Sequence, residues 1–223
     1  MRLVKPALDV GIALAAAEPA AMLAFYRERV GLTVDHDLPL GGGRLQARHH
    51  WGDSIVKLNH RRGGEVPGVP TGWGPVTFLG PGLEEATGLE DPEGNGVRLA
   101  PAETRRLELD LRVVDPAASA RFFAGLGLPV EDGRVAVGQS ALRLVAAPSA
   151  EPPGGLDGTG IRYVTFQVDR ADAAHAEALD AGGREGMAPR TLGDVARISF
   201  VIEPGGHWIE LSQRASLTGS LEP

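Results

Sequence analysis

The chain has 223 residues, of which 43% are hydrophobic, with a formal net charge of −7 and no cysteine. The acidic balance argues against a general nucleic-acid surface, because phosphate binding rests on clustered Lys and Arg. The lack of cysteine excludes disulfides, thiolate zinc sites and a cysteine nucleophile. Without an apolar run of about 18 residues or a secretion signal, the sequence predicts a globular cytoplasmic protein that spans no membrane.

The first predicted elements are a strand and a helix, and the later half of the chain repeats them. Residues 8–14 and 107–113 alternate between apolar and polar side chains, which is typical of half-buried strands. Each strand leads to a helix whose first position is proline, Pro19 or Pro116, and which ends at a Gly-Leu pair.

A second pair of matches lies farther along each half. Residues 76–78 match 164–166, and the phrase at 91–99, which opens on Asp-Pro, matches the Glu-Pro phrase at 203–211. The later half has 24 more residues between these landmarks. They predict a helix over 169–181, with Asp169 as its N-cap, and a strand over 196–202. Residues 80–90 leave room only for a turn or a stub of helix.

These matches predict four units, each of one strand, one helix and three strands, with the second unit truncated. The units lie near residues 7–60, 73–101, 105–147 and 160–213. We expect an α+β fold of tandem βαβββ units that form two cupped, mixed or antiparallel sheets within one chain. The expected division is a reduced domain at 1–102, a more complete domain at 103–214 and a tail at 215–223. The Pro- and Gly-rich segments 63–70 and 148–160 are interpreted as connectors between paired units.

The order of these elements resembles the vicinal oxygen chelate superfamily, which includes glyoxalase I, bleomycin-resistance proteins and extradiol dioxygenases. The resemblance implies that units pair into a cup that holds a metal or an organic ligand. Four residues fall on positions that resemble the inward metal positions, where the family usually has His, an acidic or amide residue, His and Glu: Glu108, Arg143, Tyr163 and Glu210. Only Glu210 fits fully. Glu108 and Glu210 remain candidate ligands of a divalent metal, but a set without imidazole suits Fe(II), Ni(II) or Zn(II) poorly.

Strand alternation gives a view of the later cup that does not depend on the family. It predicts one functional cluster and one structural alternative. In the functional interpretation, Glu210 or Glu108 moves a proton and Tyr163 donates a hydrogen bond. The ligand-binding candidates in that interpretation are Arg143, Trp208, Thr165, Asp110 and Arg112. In the alternative, the same charges form an ion-pair network in a cup without catalytic function.

The corresponding positions of the early half are Asp9, Lys57, Pro75 and Arg98. Lys57 and Arg98 opposite Asp9 predict a salt bridge in a degenerate scaffold domain, with an anion pocket as the alternative. The six histidines are expected at the surface or at strand ends, with His175 exposed on its helix and His207 facing away from Glu210.

Three functional hypotheses follow from the sequence. The leading one is a small-molecule-binding protein that lacks most of the family's metal triad. The second is a lyase or dioxygenase that acts on a small carbonyl or aromatic substrate through Glu210, with a divalent metal or by metal-free acid-base catalysis. The third is a catalytically inactive scaffold that binds a partner at the edge left by the truncated unit. Monomer and homodimer both remain open.

Overall fold

The computed structural model describes residues 1–15, 19–63, 66–69, 71–148, 151 and 153–222. Glu18, residue 223 at the end of the predicted tail and parts of the two predicted connectors, residues 64, 65, 70, 149, 150 and 152, lie outside the described residues. The described chain forms one eight-stranded and one seven-stranded sheet, both mixed. No helix in these residues is long and apolar enough to cross a membrane.

The elements follow the four predicted units. The first unit contains β1 (Asp9–Ala13), α1 (Ala20–Ala24), a π-helical turn (Phe25–Arg29), β2 (Thr33–Gly41), β3 (Arg44–Trp51) and β4 (Ser54–Arg61). The second contains β5 (Trp73–Gly80), β6 (Thr87–Glu90) and β7 (Gly96–Pro101). The third contains β8 (Arg106–Val113), α2 (Pro116–Gly125), β9 (Val130–Glu131), β10 (Arg134–Val137) and β11 (Ser140–Ala146). The fourth contains β12 (Gly160–Gln167), α3 (Ala171–Asp180), β13 (Arg184–Leu192), β14 (Ala196–Ile202) and β15 (Trp208–Arg214), followed by α4 (Ala215–Thr218).

The predicted fold class is confirmed, and the local signals account for most of it. The described residues of the second unit contain no helix, as the missing 24 residues indicated. The expectation of only a turn or a helical stub at 80–90 is wrong, because β6 lies in this segment and pairs with β7. Pro116 is the first residue of α2 as predicted, whereas Pro19 is the N-cap residue before α1, which begins at Ala20. Gly31 and Gly127 follow the ends of the two predicted helices with φ of 86° and 78°, which glycine adopts without strain. The predicted N-cap is wrong, because α3 begins after Arg170. Asp169 instead pairs with Arg2 through its side chain and its backbone N–H.

The sheets combine units from different halves of the chain. β1 of the first unit pairs antiparallel with β12 of the fourth, and β5 of the second with β8 of the third. The expected pairing of the first unit with the second, and of the third with the fourth, is therefore wrong. The connector lengths give the physical reason, since the short link 102–105 joins units of one sheet while the longer Pro- and Gly-rich segments pass between sheets. The division into domains 1–102 and 103–214 stays a prediction.

The hydrogen bonds from each helical segment to the repeated turn phrase, in contrast, stay within one half of the chain. The Tyr26 hydroxyl donates to the Asp91 carboxylate at 2.9 Å, and the Ser119 hydroxyl donates to Glu203 at 2.7 Å. Asp91 and Glu203 are the acidic residues that open the repeated phrase, and both are buried. The repeat therefore joins each helix-bearing unit to the unit that follows it in the chain.

The buried carboxylate of Glu203 organises the later turn. One of its oxygens accepts the backbone N–H of His207 at 3.2 Å and lies 2.6 Å from His207 Nδ1. The other imidazole nitrogen, Nε2, lies 2.9 Å from the Gly72 carbonyl and carries a proton, since a carbonyl only accepts. Burial alone would raise the pKa of Glu203, but the hydrogen bond and charge of His207 hold this pKa below its usual value.

Glu203→Gln tests how much this turn contributes to stability. A carboxylate whose folded pKa is depressed contributes stability above its unfolded pKa, and this contribution is lost as the pH falls through the folded pKa. We expect the substitution to lower the free energy of unfolding by about 2 kcal/mol at pH 7. The difference from the parent protein should shrink between about pH 5 and pH 3. Urea denaturation followed by circular dichroism measures both quantities.

Ser119→Ala is the matched control, because it removes one hydrogen bond and leaves the carboxylate in place. Ser119→Ala should lower the free energy of unfolding by about 1 kcal/mol. This loss should not disappear at acid pH in parallel with the loss caused by Glu203→Gln. A pH-independent cost of Glu203→Gln would contradict the assignment of a depressed pKa.

Candidate functional site

The centre of the eight-stranded sheet holds a buried ion pair between the first and fourth units. The Lys57 ammonium on β4 lies 2.6 Å from Glu210 Oε2 on β15 and donates to the Thr165 hydroxyl on β12 at 2.6 Å. Thr165 in turn donates to Glu210 at 2.5 Å. The Lys57 and Glu210 side chains are only 4% and 12% exposed. Burial lowers the pKa of Lys57, while the charges of Glu210 and Asp9 oppose this shift.

Tyr163 borders this ion pair as a neutral phenol. Burial and the charge of Glu210 raise the pKa of Tyr163 well above its usual value. Its oxygen accepts hydrogen bonds from the amide groups of Asn59 at 3.3 Å and Gln46 at 3.5 Å. The Lys57 ammonium lies 5.3 Å from the centre of the Tyr163 ring, a cation–π distance. Among the described residues the Tyr163 hydroxyl donates no hydrogen bond, so its hydrogen is available to a ligand.

Asp9, on the neighbouring strand, has its partners within the protein. Its carboxylate accepts from the Ile55 backbone N–H at 2.8 Å, from Lys5 at 2.7 Å and from the Gln167 amide at 2.9 Å. The predicted salt bridge of Asp9 with Lys57 and Arg98 is therefore wrong. Lys57 pairs with Glu210 in one sheet, and Arg98 pairs with Asp110 in the other.

A divalent metal, which the family resemblance implies, does not fit these residues. The ammonium of Lys57 already lies in hydrogen-bond contact with Glu210, the one residue that fits the family's metal positions, and with the neighbouring Thr165 hydroxyl. A metal there would meet a positive charge in a poorly solvated site. Among the described residues, no group of three or more His, Cys, Asp or Glu side chains is arranged to hold a metal.

The structure divides the predicted cluster between the two sheets. Tyr163 and Glu210 lie in the eight-stranded sheet, whereas Glu108 and Arg143 lie in the seven-stranded sheet. Glu108 pairs with Arg134 at 3.3 Å, and Arg143 pairs with Asp110 at 2.5 Å. Glu108 and Glu210 therefore cannot share a metal ion.

The remaining ligand-binding candidates also separate. Thr165 lies in the central cluster, and it is Thr165 rather than Tyr163 that contacts the Glu210 carboxylate. Trp208 lies on the same sheet with its ring centre 6.0 Å from that of Phe200. Asp110 joins Arg98 and Arg143 across the seven-stranded sheet, while Arg112 is exposed on the same strand as Asp110. Their roles in binding stay predictions.

One expectation about the histidines is wrong. His175 is buried, with Nε2 3.3 Å from the Glu185 carboxylate, because α3 packs on β13 and β14. His49 is one of the last three residues of β3, as expected, but it is buried, and its Nε2 accepts from Arg27 at 2.9 Å. His207, also buried, faces away from Glu210 as expected and contacts the turn.

A cavity of about 460 Å³ lies over the ion pair in the cup of the eight-stranded sheet. This volume lies within the usual range for sites of small organic ligands. Lys57, Tyr163 and Glu210 line it, together with Gln46 and Arg48 from β3. Alternation along β3 and β15 places Arg48 and Arg214 toward the same space. Neither residue is predicted from the sequence, because the facing strands come from opposite ends of the chain.

Comparison with known proteins gives one family match and several structural relatives. The model of the Glyoxalase/Bleomycin resistance protein/Dioxygenase superfamily matches residues 105–211. The protein named "Putative glyoxylase CFP32" of Mycobacterium bovis is 30% identical over 114 residues, which are 47% of this chain and 44% of that protein. The match therefore spans less than half the length of this relative.

Solved structures extend the similarity to the whole chain. A glyoxalase I variant from Zea mays superposes with a TM-score of 0.78 at 15% identity, over 99% of this chain and 96% of that one. The "putative dioxygenase" of Bacillus subtilis subsp. subtilis str. 168 gives a TM-score of 0.73 at 13% identity, over 100% and 92% of the two chains. At these identities the comparison shows a common fold.

A double-mutant cycle on Lys57 and Glu210 tests whether the ion pair is buried and coupled. Lys57→Met leaves a buried carboxylate without its counter-charge and should cost about 3 kcal/mol of unfolding free energy. Glu210→Gln should cost a similar amount, and the double variant less than the sum of the two. Chemical denaturation at pH 7 measures the three values.

The pair Glu108 and Arg134 in the other sheet is the control, because 44% of the Arg134 side chain is exposed. The same cycle there should give a coupling below about 1 kcal/mol. Additive costs at Lys57 and Glu210 would contradict the buried ion pair.

Proposed function

We propose, from the match of residues 105–211 to the glyoxalase/bleomycin resistance protein/dioxygenase superfamily and from the common fold, that this chain binds a small organic molecule in the cup of the eight-stranded sheet. In this proposal the Lys57 ammonium takes the place of the divalent metal. The resemblance to this superfamily expected from the sequence is confirmed by the family match over residues 105–211; the ligand and the metal-free site are the proposal.

One observation carries the proposal, the contact of Lys57 with Glu210 and Thr165 at 2.6 Å each. Glu210 and Thr165 are Cα partners on neighbouring parallel strands, which fixes their oxygens side by side. A cation at this point neutralises the carboxylate, and the ammonium supplies it from within the chain. The floor of the cavity is therefore complete without an ion from solution.

The wall of the cavity on the side of β13 and β14 supports binding of an organic body. Ile198 and Phe200 form a small apolar cluster that lies apart from the main core, with Tyr163, Met187 and Trp208 packed against it. Apolar residues with a few polar anchors are typical of small-molecule sites. The name of the CFP32 relative adds a glyoxylase as one activity to test here.

Acid-base chemistry at the same floor is a second candidate function. Glu210 retains some exposure, lines the cavity and lies in hydrogen-bond contact with a lysine whose pKa is lowered. This arrangement lets Glu210 take a proton from a bound molecule while Lys57 stabilises the negative charge that develops. Glu210→Gln separates the candidates, since it should abolish turnover and leave ligand binding within a few-fold if catalysis occurs.

Metal analysis tests the proposed role of Lys57. Protein purified without chelator should contain far less than one divalent ion per chain. Added Zn²⁺, Ni²⁺ or Mg²⁺ should leave its melting temperature unchanged. Lys57→Glu is the matched variant, since it replaces the ammonium by a second carboxylate next to Glu210 and should gain stabilisation by divalent ions. A stoichiometric metal, or a metal-induced rise in melting temperature, in the parent protein would contradict the proposal.

Ligand titration tests binding itself. The Trp208 ring packs near Phe200, which lines the cavity, so an occupant should change Trp208 fluorescence. A panel of neutral, anionic and cationic organic molecules should include saturable quenchers. Trp208→Phe should remove the signal while calorimetry still detects binding. No saturable binder across all three charge classes would contradict the proposed function.

A further inference from the structure

The cavity is strongly cationic although the chain is acidic overall. Seven Lys and Arg side chains and two acidic side chains line it, against a formal net charge of −7 for the whole protein. The lining of the cup therefore carries a net positive charge, whereas the rest of the chain is net negative. A cleft with one sign of charge attracts ligands of the opposite sign.

Several of these positive charges already have partners. Lys57 pairs with Glu210, and Arg44 at the rim pairs with Asp157 at 3.4 Å. Arg162 donates to the backbone carbonyls of Val69 at 3.0 Å and Gly155 at 3.1 Å. These contacts give Lys57, Arg44 and Arg162 partners within the protein.

Arg61, Arg190 and Arg214 also line the cavity, and none of these three guanidinium groups has a hydrogen bond or ion pair within the part of the chain that the structure describes. Arg61 and Arg190 are exposed to solvent, and Arg214 differs from them in being partly buried. It lies on β15 four residues after Glu210, on the strand face that lines the cavity, and is partly buried. Burial lowers the pKa of Arg214, and the charge of Arg48 lowers it further. Two partly desolvated guanidinium groups that face the same space repel each other, and a bound anion offsets this repulsion.

Arg48 supplies the second cation. It is buried, and two of its three guanidinium nitrogens have protein partners, Asp35 at 3.3 Å and the Gln46 side-chain oxygen at 2.9 Å. These bonds fix the plane of the guanidinium and leave its remaining nitrogen for a ligand. Arg48 faces the cavity from β3 in the first unit, whereas Arg214 faces it from β15 in the fourth unit.

We infer that the ligand is an organic anion whose carboxylate or sulfonate lies between Arg48 and Arg214 and whose apolar body packs on Ile198, Phe200 and Met187. This inference rests on the proposed function and adds the ligand's charge and polarity. The guanidinium groups give charge-assisted hydrogen bonds to oxygen anions. The apolar cluster gives a hydrophobic contact area for the rest of the molecule.

Calorimetric titration with 2-naphthoate, 2-naphthalenesulfonate and 2-naphthamide tests the inference, because the three share one ring system and differ in charge. Both anions should bind at least about tenfold more tightly than the amide. Arg214→Gln should weaken both anions about tenfold and leave the amide within about twofold. Arg214→Lys should restore part of the loss, since it keeps the charge without the planar donor pair.

Arg121→Gln is the control for net charge, because Arg121 is exposed on α2 outside the cavity. It should leave all three affinities unchanged. Equal affinity of the three compounds would overturn the anion inference and leave the proposed binding function standing. Binding of none of them would also overturn it, and the charge panel above would then decide the proposed function separately. Equal losses in Arg121→Gln and Arg214→Gln would overturn the role of Arg214.

Discussion

The antiparallel pairing of β1 with β12 is the constraint on which the site depends. It places Gly11 opposite Tyr163 and Asp9 opposite Thr165. β4 and β15 then pair in parallel with these two central strands, so Lys57 and Glu210 approach the centre from opposite sides. Gly11 is required here, because a Cβ atom at this position would lie 2.3 Å from the Tyr163 ring.

Two sets of contacts then hold the four units together. The sheets join the first unit to the fourth and the second to the third, whereas the helix-to-turn bonds join the first to the second and the third to the fourth. Each unit therefore has two neighbours, and the set closes on itself. Loss of one unit would expose both a sheet edge and a buried carboxylate, which favours cooperative unfolding of the whole described chain.

Much of the fold could be predicted from the sequence, since its signals are local. Alternation gave the strands, proline and glycine gave the helix ends, and the length difference gave the truncated second unit. The pairing of units depends on contacts between residues far apart in the chain, for which periodicity carries no signal. For this reason Glu108 and Arg143 were grouped with Tyr163 and Glu210, although they belong to the other sheet.

The lack of a sequence signal for long-range contacts also explains which site residues could be predicted. Glu210 and Thr165 follow from one strand pair of the fourth unit, so their alternation was sufficient. The partner of Glu210 lies 153 residues away, on a strand assigned to a scaffold half. An anion pocket at Lys57 was one of the alternatives there. The partly buried cation without a partner in the described chain is Arg214, which belongs to the strand of Glu210 itself.

The Lys57 ammonium neutralises Glu210 but, unlike a divalent metal, leaves no excess positive charge for a ligand. A divalent ion would both neutralise Glu210 and leave excess positive charge for a ligand, whereas Lys57 cancels one negative charge with one positive charge. The floor of the cavity is then close to neutral. The wall of the cavity, and not its floor, therefore selects the charge of the ligand. There Arg48 is partly satisfied by Asp35, and Arg214 has no such partner in the described chain. Because these two residues come from different units, the pairing of the first unit with the fourth creates the anion site as well as the ion pair beneath it.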